Sequence, residues 1–168
     1  TTLAALVDDI NRTRAGHIIT IEDPIEFVHP NKKCTVSQRE VGEHAESFTT
    51  ALKAAARENP DVILVGELRN LETVSLALSV AEMGVLVFGT LHTNSATKTI
   101  DRVIDVFPED QQDQARAMLA SSLAAVVAQL LLPKADGQGR VAAHEILLRT
   151  SGLGNVIREG NTTMLASL

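Results

Sequence analysis

Three apolar runs in this 168-residue chain end in side chains capable of acid–base or metal chemistry. Ile18-Ile19-Thr20-Ile21 leads to Glu22-Asp23, Val62-Ile63-Leu64-Val65-Gly66 leads to Glu67, and Val85-Leu86-Val87-Phe88-Gly89-Thr90-Leu91 leads to His92. Runs of β-branched and aliphatic residues suit strands buried on both faces of a parallel sheet, and open α/β sheets bind ligands beyond the carboxyl ends of their strands. The pattern predicts Glu22, Glu67 and His92 along one such edge. A carboxylate at the tip of an apolar strand can orient or polarise a water attacking a γ-phosphate, which makes Glu67 the candidate for that role. Taken alone the signal is weak, because such a Glu is equally the first polar residue between a buried strand and the next helix.

The elements that must hold these side chains alternate in type. A helical pattern runs from about Leu3 to Thr13 with Gly16 as its stop, and a strand follows over His17 to Glu22 until Pro24 breaks the ladder. Cys34 to Val41 alternates weakly and is expected near the sheet edge. Ser47 reads as the N-cap of a helix with Phe48, Leu52 and Ala55 or Ala56 on one face, ended by Asn59-Pro60. Leu71, Val74, Leu78 and Ala81 recur on a second helix, closed by Gly84 before the Val85 strand. Strand–helix–strand alternation predicts an α/β fold, a mostly parallel sheet with helices on both faces. The last third is expected to be mainly helical, with helices at about Ala96 to Val106 and Gln111 to Leu132 separated by Phe107-Pro108. A polar Lys134 to Gly139 loop, a strand over Arg140 to Leu148 and a short helix near Leu153 to Arg158 complete it. Neither an internal repeat nor a low-complexity linker places a boundary inside the chain.

Composition narrows the partners. A net charge of -6 and 2% aromatic residues, without Trp or Tyr, argue against a nucleic-acid platform, which needs basic stripes and stacking rings. The single Cys34 permits no internal disulfide, which fits a reducing, cytoplasmic compartment. The apolar stretch Leu123 to Leu132 is too short to span a bilayer and no export signal opens the chain, so direct membrane insertion is not expected.

Taken in order, three segments resemble a known set. Thr20-Ile21-Glu22-Asp23-Pro24-Ile25-Glu26-Phe27, Asn59-Pro60-Asp61-Val62-Ile63-Leu64-Val65-Gly66-Glu67-Leu68-Arg69 and Gly89-Thr90-Leu91-His92-Thr93-Asn94 look like the Asp box, Walker B and His box of the secretion ATPases. Within them the chain is most similar to the pilus-retraction (PilT-like, twitching motility) motors. Gln38-Arg39-Glu40-Val41-Gly42, Thr99 to Pro108, Gly139 to Ala143 and Val156 to Gly160 add to the resemblance.

The resemblance implies a RecA-like P-loop NTPase core, with ATP and Mg²⁺ as cofactors, in a homohexamer docked on an inner-membrane platform protein at the cytoplasmic face. It implies Glu67 as the catalytic carboxylate, Glu22 near Mg²⁺ and the γ-phosphate side, and His92 contacting the γ-phosphate region. Arg102 is the candidate for a cation that stabilises transition-state charge, across a subunit boundary. Glu22, Gly66, Glu67 and His92 are the positions implied to border the nucleotide, with Asp23 and Glu26 as loop charges. Gly66 stands where most phosphate-loop enzymes carry an Asp, a departure that the secretion ATPases share. Asn70 stands where retraction motors often have Asp, and Gly152-Leu153-Gly154-Asn155 matches the family's C-terminal helix motif only in part. Cys34 is not part of a Cys-x-x-Cys pair after His92, which favours retraction motors over pilus-extension and type II secretion motors.

No Gly-x-x-x-x-Gly-Lys-Ser/Thr run occurs in the sequence. Thr1-Thr2-Leu3-Ala4-Ala5-Leu6 is similar to the helix that follows that loop in the family, so residues 1–168 are expected to be the C-terminal RecA-like ATPase domain truncated just after the loop. The alternative is a non-hydrolytic assembly module that has lost the loop; retention of Glu22, Glu67 and His92 together argues against it. A dinucleotide-binding domain fails for want of a Gly-x-Gly-x-x-Gly turn.

Overall fold

The computed structural model describes residues 2–167; Thr1, where the helical opening was read to begin, and Leu168 lie outside the described residues. The chain divides into two compact units, one running to Leu91 and the other starting at His92, where the sequence offered no boundary.

Helices and strands alternate through the first unit as α1 (Thr2–Thr13), β1 (Gly16–Glu22), β2 (Cys34–Glu40), α2 (Phe48–Ala55), β3 (Val62–Val65), α3 (Leu71–Glu82) and β4 (Leu86–Gly89). The four strands form one parallel sheet in the order β2-β1-β3-β4, which puts the weakly alternating β2 at an edge. Because successive side chains point to opposite faces, each apolar run splits between two cores. Ile19, Ile21, Ile63 and Val65 pack with Leu52 of α2 and Val80 of α3. Ile18, Val62, Leu64 and Cys34 pack with Val7 of α1. Both faces are covered, which is why β1 and β3 read as continuous rather than alternating runs.

Two local expectations shift. Gly16 is the first residue of β1 rather than a helix stop: a Cβ there would lie 2.6 Å from Asp61 Oδ2. That oxygen accepts the His17 N–H at 2.8 Å, so the chain must pass close to Asp61. α2 ends at Ala55, before Asn59-Pro60. The Arg57 and Glu58 N–H groups donate to Ala54 and Ala55 in a tighter turn, and Asn59 then takes φ 53°, a left-handed conformation that Asn tolerates.

The second unit contains α4 (Ala96–Asp105), a 3-10 turn at Glu109–Gln111, α5 (Gln112–Ser122), β5 (Ala125–Pro133), β6 (Arg140–Leu148), α6 (Ser151–Glu159) and a 3-10 turn at Thr162–Ser167. Here the expectation of one helix from Gln111 to Leu132 is corrected. The helix stops at Ser122, and the apolar run beyond it is β5, paired antiparallel along its whole length with β6. A continuous apolar run does not distinguish buried helix from strand. What decides it is β-branched Val126 and Val127 and a closing turn in which Gly137 and Gly139 hold φ of 69° and 82°. Ile100, Ile104, Leu119, Leu153 and Ile157 are buried within this unit. No helix among the described residues is long and apolar enough to cross a membrane.

Candidate active site

Glu22 ends β1, and Gly66-Glu67 directly follow β3, its neighbour. The register pairs Ile21 with Val65, so the parallel ladder carries both carboxylates to the same end of the sheet. Gly66 makes that approach possible. Its N–H donates to Ile21 O at 2.7 Å, and a Cβ on it would press on Ile21 O at 3.1 Å and on Glu22 Cα at 3.3 Å. A side chain at this position would require the β1 backbone to give by a few tenths of an ångström.

Thr90, in the connection after β4, fixes the backbone on both sides of Glu67. Its hydroxyl donates to Gly66 O, and its carbonyl accepts the Leu68 N–H at 3.0 Å. Leu68 in turn covers Gly89, where a Cβ would stand 2.4 Å from Leu68 Cδ1. The Glu67 carboxylate is mostly buried and pairs with Arg69, Nε to Oε1 at 2.5 Å, while the Arg69 side chain itself is largely exposed. The hydrogen bond to Glu67, then its charge, raise the Arg69 guanidinium further above its ordinary value. Asn70 begins α3, its Oδ1 accepting the Thr73 N–H at 2.9 Å, a capping role that Asp fills equally well.

Glu22 is half-buried. Its Oε1 accepts the Thr20 hydroxyl at 2.6 Å and the Gln38 amide at 3.2 Å. The connection beyond it, which passes through a cis peptide at Asp23-Pro24, is tied down by Glu40 Oε2, the acceptor for Ile25 N–H at 2.9 Å. Asp23 and Glu26 are exposed in this connection, as loop charges are expected to be.

His92 and Arg102 belong to the second unit. His92 is not a strand-tip residue: β4 ends at Gly89, and His92 lies on an exposed bend that leads to α4. Ser95 caps that helix by accepting Lys98 N–H at 3.3 Å, and Thr93 and Thr99 share a 2.6 Å hydroxyl bond. Arg102 is exposed in the last turn of α4. The structure thus brings Glu22, Gly66 and Glu67 together on adjoining strands, and holds His92 and Arg102 on the segment that follows. Thr20, Gln38, Arg69 and Thr90 were missed as site residues, although polar Thr20 inside an apolar run and Gln38 beside Arg39-Glu40 were visible signals.

No group of three or more His, Cys, Asp or Glu that could hold a metal ion by itself exists among the described residues. A half-buried carboxylate with one oxygen engaged and the other outside those bonds fits Mg²⁺, which takes one or two carboxylates and fills its remaining positions with phosphate oxygens and water.

Comparison with known proteins decides the family. The type II/IV secretion system protein family matches residues 1–165. The chain belongs to the type II/IV secretion family. A type IV pilus retraction ATPase, PilT, of Pseudomonas aeruginosa is 57% identical over 167 residues, 99% of this chain and 48% of that protein. A twitching motility protein of Neisseria gonorrhoeae is 55% identical over 168 residues, 100% of this chain and 45% of that protein. A crystal structure of the pilus retraction motor PilT with bound ADP superposes with a TM-score of 0.95 at 54% identity, covering 99% of this chain and 48% of that one. This secretion-family chain therefore has the RecA-like α/β core of those ATPases, and it spans about half the length of the relatives it matches.

Proposed function

We propose that the chain is the C-terminal ATPase domain of a motor subunit that hydrolyses ATP to power type IV pilus retraction and twitching motility. The observation that carries this reading is the seating of Gly66 against the β1 backbone, which sets two acids on adjoining strand tips. Metal-assisted attack of water on a phosphoryl group calls for such a pair, one acid for the metal and one for the water. Glu67, its backbone pinned by Thr90, orients and deprotonates the water. Glu22 would hold Mg²⁺, which when bound would neutralise charge on the phosphates. Gly66 leaves room at the strand tips, and by the family resemblance His92 would contact the γ-phosphate region and Arg102 would stabilise charge across a subunit boundary. The 55–57% identity to a twitching motility protein and a retraction ATPase favours retraction over other secretion motors, and the family resemblance of the three boxes implies a homohexamer on an inner-membrane platform protein at the cytoplasmic face. Because these 168 residues contain no phosphate-cradling Gly-Lys-Ser/Thr loop, they hydrolyse ATP negligibly by themselves.

The test uses the complete gene product. E67Q removes the general base while preserving shape, so turnover falls about 10²- to 10⁴-fold with ADP affinity unchanged, and cells carrying it keep pili but do not twitch. Turnover within threefold of the parent would reject Glu67 as the base.

A further inference from the structure

Thr20, Glu22, Gln38 and Glu40 form a polar group on one face of β1 and β2. Thr20 and Glu22 are two residues apart on β1, and the parallel register sets Gln38 beside Thr20 and Glu40 beside Glu22. Each carboxylate is held through one oxygen, but by a different number of donors. Glu40 Oε2 is engaged by Ile25 N–H, whereas Glu22 receives two donors on a single oxygen.

The Gln38 amide has one permitted orientation. Its Oε1 accepts His29 N–H at 2.7 Å, so its Nε2 must face the acceptors on its other side, Phe27 O at 2.8 Å and Glu22 Oε1 at 3.2 Å. Thr20 is completely buried, and its hydroxyl reaches the same Glu22 oxygen. We propose that Thr20 and Gln38 are positioning residues that clamp Oε1 of Glu22 and thereby present Oε2 to the metal of the metal–nucleotide complex. Gln38 also links the position of that carboxylate to the β1–β2 connection through Phe27 and His29. The inference rests on the reading of Glu22 as the metal-holding acid.

The experiment uses Mn²⁺ in place of Mg²⁺ on the complete, ADP-bound protein, with free Mn²⁺ measured by its EPR signal. Removing a hydrogen-bonding partner of a ligating carboxylate typically weakens metal affinity about 10- to 100-fold. T20V, which keeps the shape of the buried residue, raises the Mn²⁺ Kd about 10-fold, T20S restores it, and Q38L raises it at least as far. ADP affinity without metal is unchanged in all three. If E22Q weakens Mn²⁺ binding while T20V and Q38L leave it at the parental value, the clamp is refuted and the reading of Glu22 stands. If E22Q itself leaves Mn²⁺ binding unchanged, that reading fails and the clamp with it. A T20V protein whose melting temperature drops while its Mn²⁺ Kd stays constant assigns Thr20 to packing and overturns its positioning role.

Discussion

Asn11 measures how firmly the β1–β2 connection is held. Its side chain is completely buried at the end of α1. Nδ2 donates to Pro30 O at 2.8 Å, and Oδ1 accepts the N–H groups of Lys32 at 3.1 Å and Cys34 at 3.3 Å. In N11A all three bonds are lost. Pro30 and Lys32 are exposed and recover water as a partner, so each loss costs about 0.5–1 kcal/mol. Cys34 is buried, and its stranded N–H costs about 1–3 kcal/mol. Alanine returns about 0.5 kcal/mol of helix propensity. The net loss of about 1.5–4.5 kcal/mol lowers the thermal midpoint by about 3–18 °C for a chain of this size. Circular dichroism melts of N11A and of the exposed control D9A measure this, and D9A should stay within about 0.5 kcal/mol of the parent. An N11A midpoint equal to that of D9A would refute the assignment of these bonds as anchors of the connection.

At Asn70, alanine should cost about 1 kcal/mol in denaturant unfolding, whereas N70D, which keeps the capping oxygen, should be near neutral. Asp8 is held below the ordinary carboxylate range chiefly by its hydrogen bond from Lys32, with burial opposing and Arg12 adding attraction. Its stabilising contribution is therefore complete above about pH 3.9 and disappears as pH falls through the lower folded value; acid titration of K32A should show a shallower loss, and added salt should shrink the difference. Burial, and then the charge of Asp61, push the Cys34 thiol up, so at pH 8 iodoacetamide should modify the folded protein far more slowly than the denatured chain.

The parallel core was legible because its signal is physical and local. β1 and β3 have to be apolar on both faces, and N-cap residues such as Ser47 announce the helices between them. The strand-tip acids were legible for the same reason, since a charged side chain is accommodated at the end of a buried strand far more readily than in its middle. β5 was not, because Ala124 to Leu132 satisfies a buried helix as well as a strand, and its partner β6 lies beyond a loop. His92 was misplaced at a strand tip because Thr90 and Leu91 extend the apolar-looking run past the last ladder pair, Val65 with Gly89. The ties that position Glu22 and Glu67 were hidden for a different reason: Gln38 acts from β2 and Thr90 from the connection after β4, and only the sheet register brings them near these acids.

Gly66 shows how one position serves both fold and site. In a site that carries its metal-holding Asp immediately before the catalytic Glu, both acids share one strand. Here the β3 backbone comes so close to β1 that a Cβ at position 66 would meet Ile21 O and Glu22 Cα, so an Asp would require the β1 backbone to give by a few tenths of an ångström. The same closeness sets Glu22 beside the residue preceding Glu67. On the proposed reading of Glu22, the neighbouring strand supplies that acid, and the placement of the two strand tips depends on the β1–β3 register. A register is shared by every bond in the ladder, so moving one strand tip against the other would break several backbone hydrogen bonds at once.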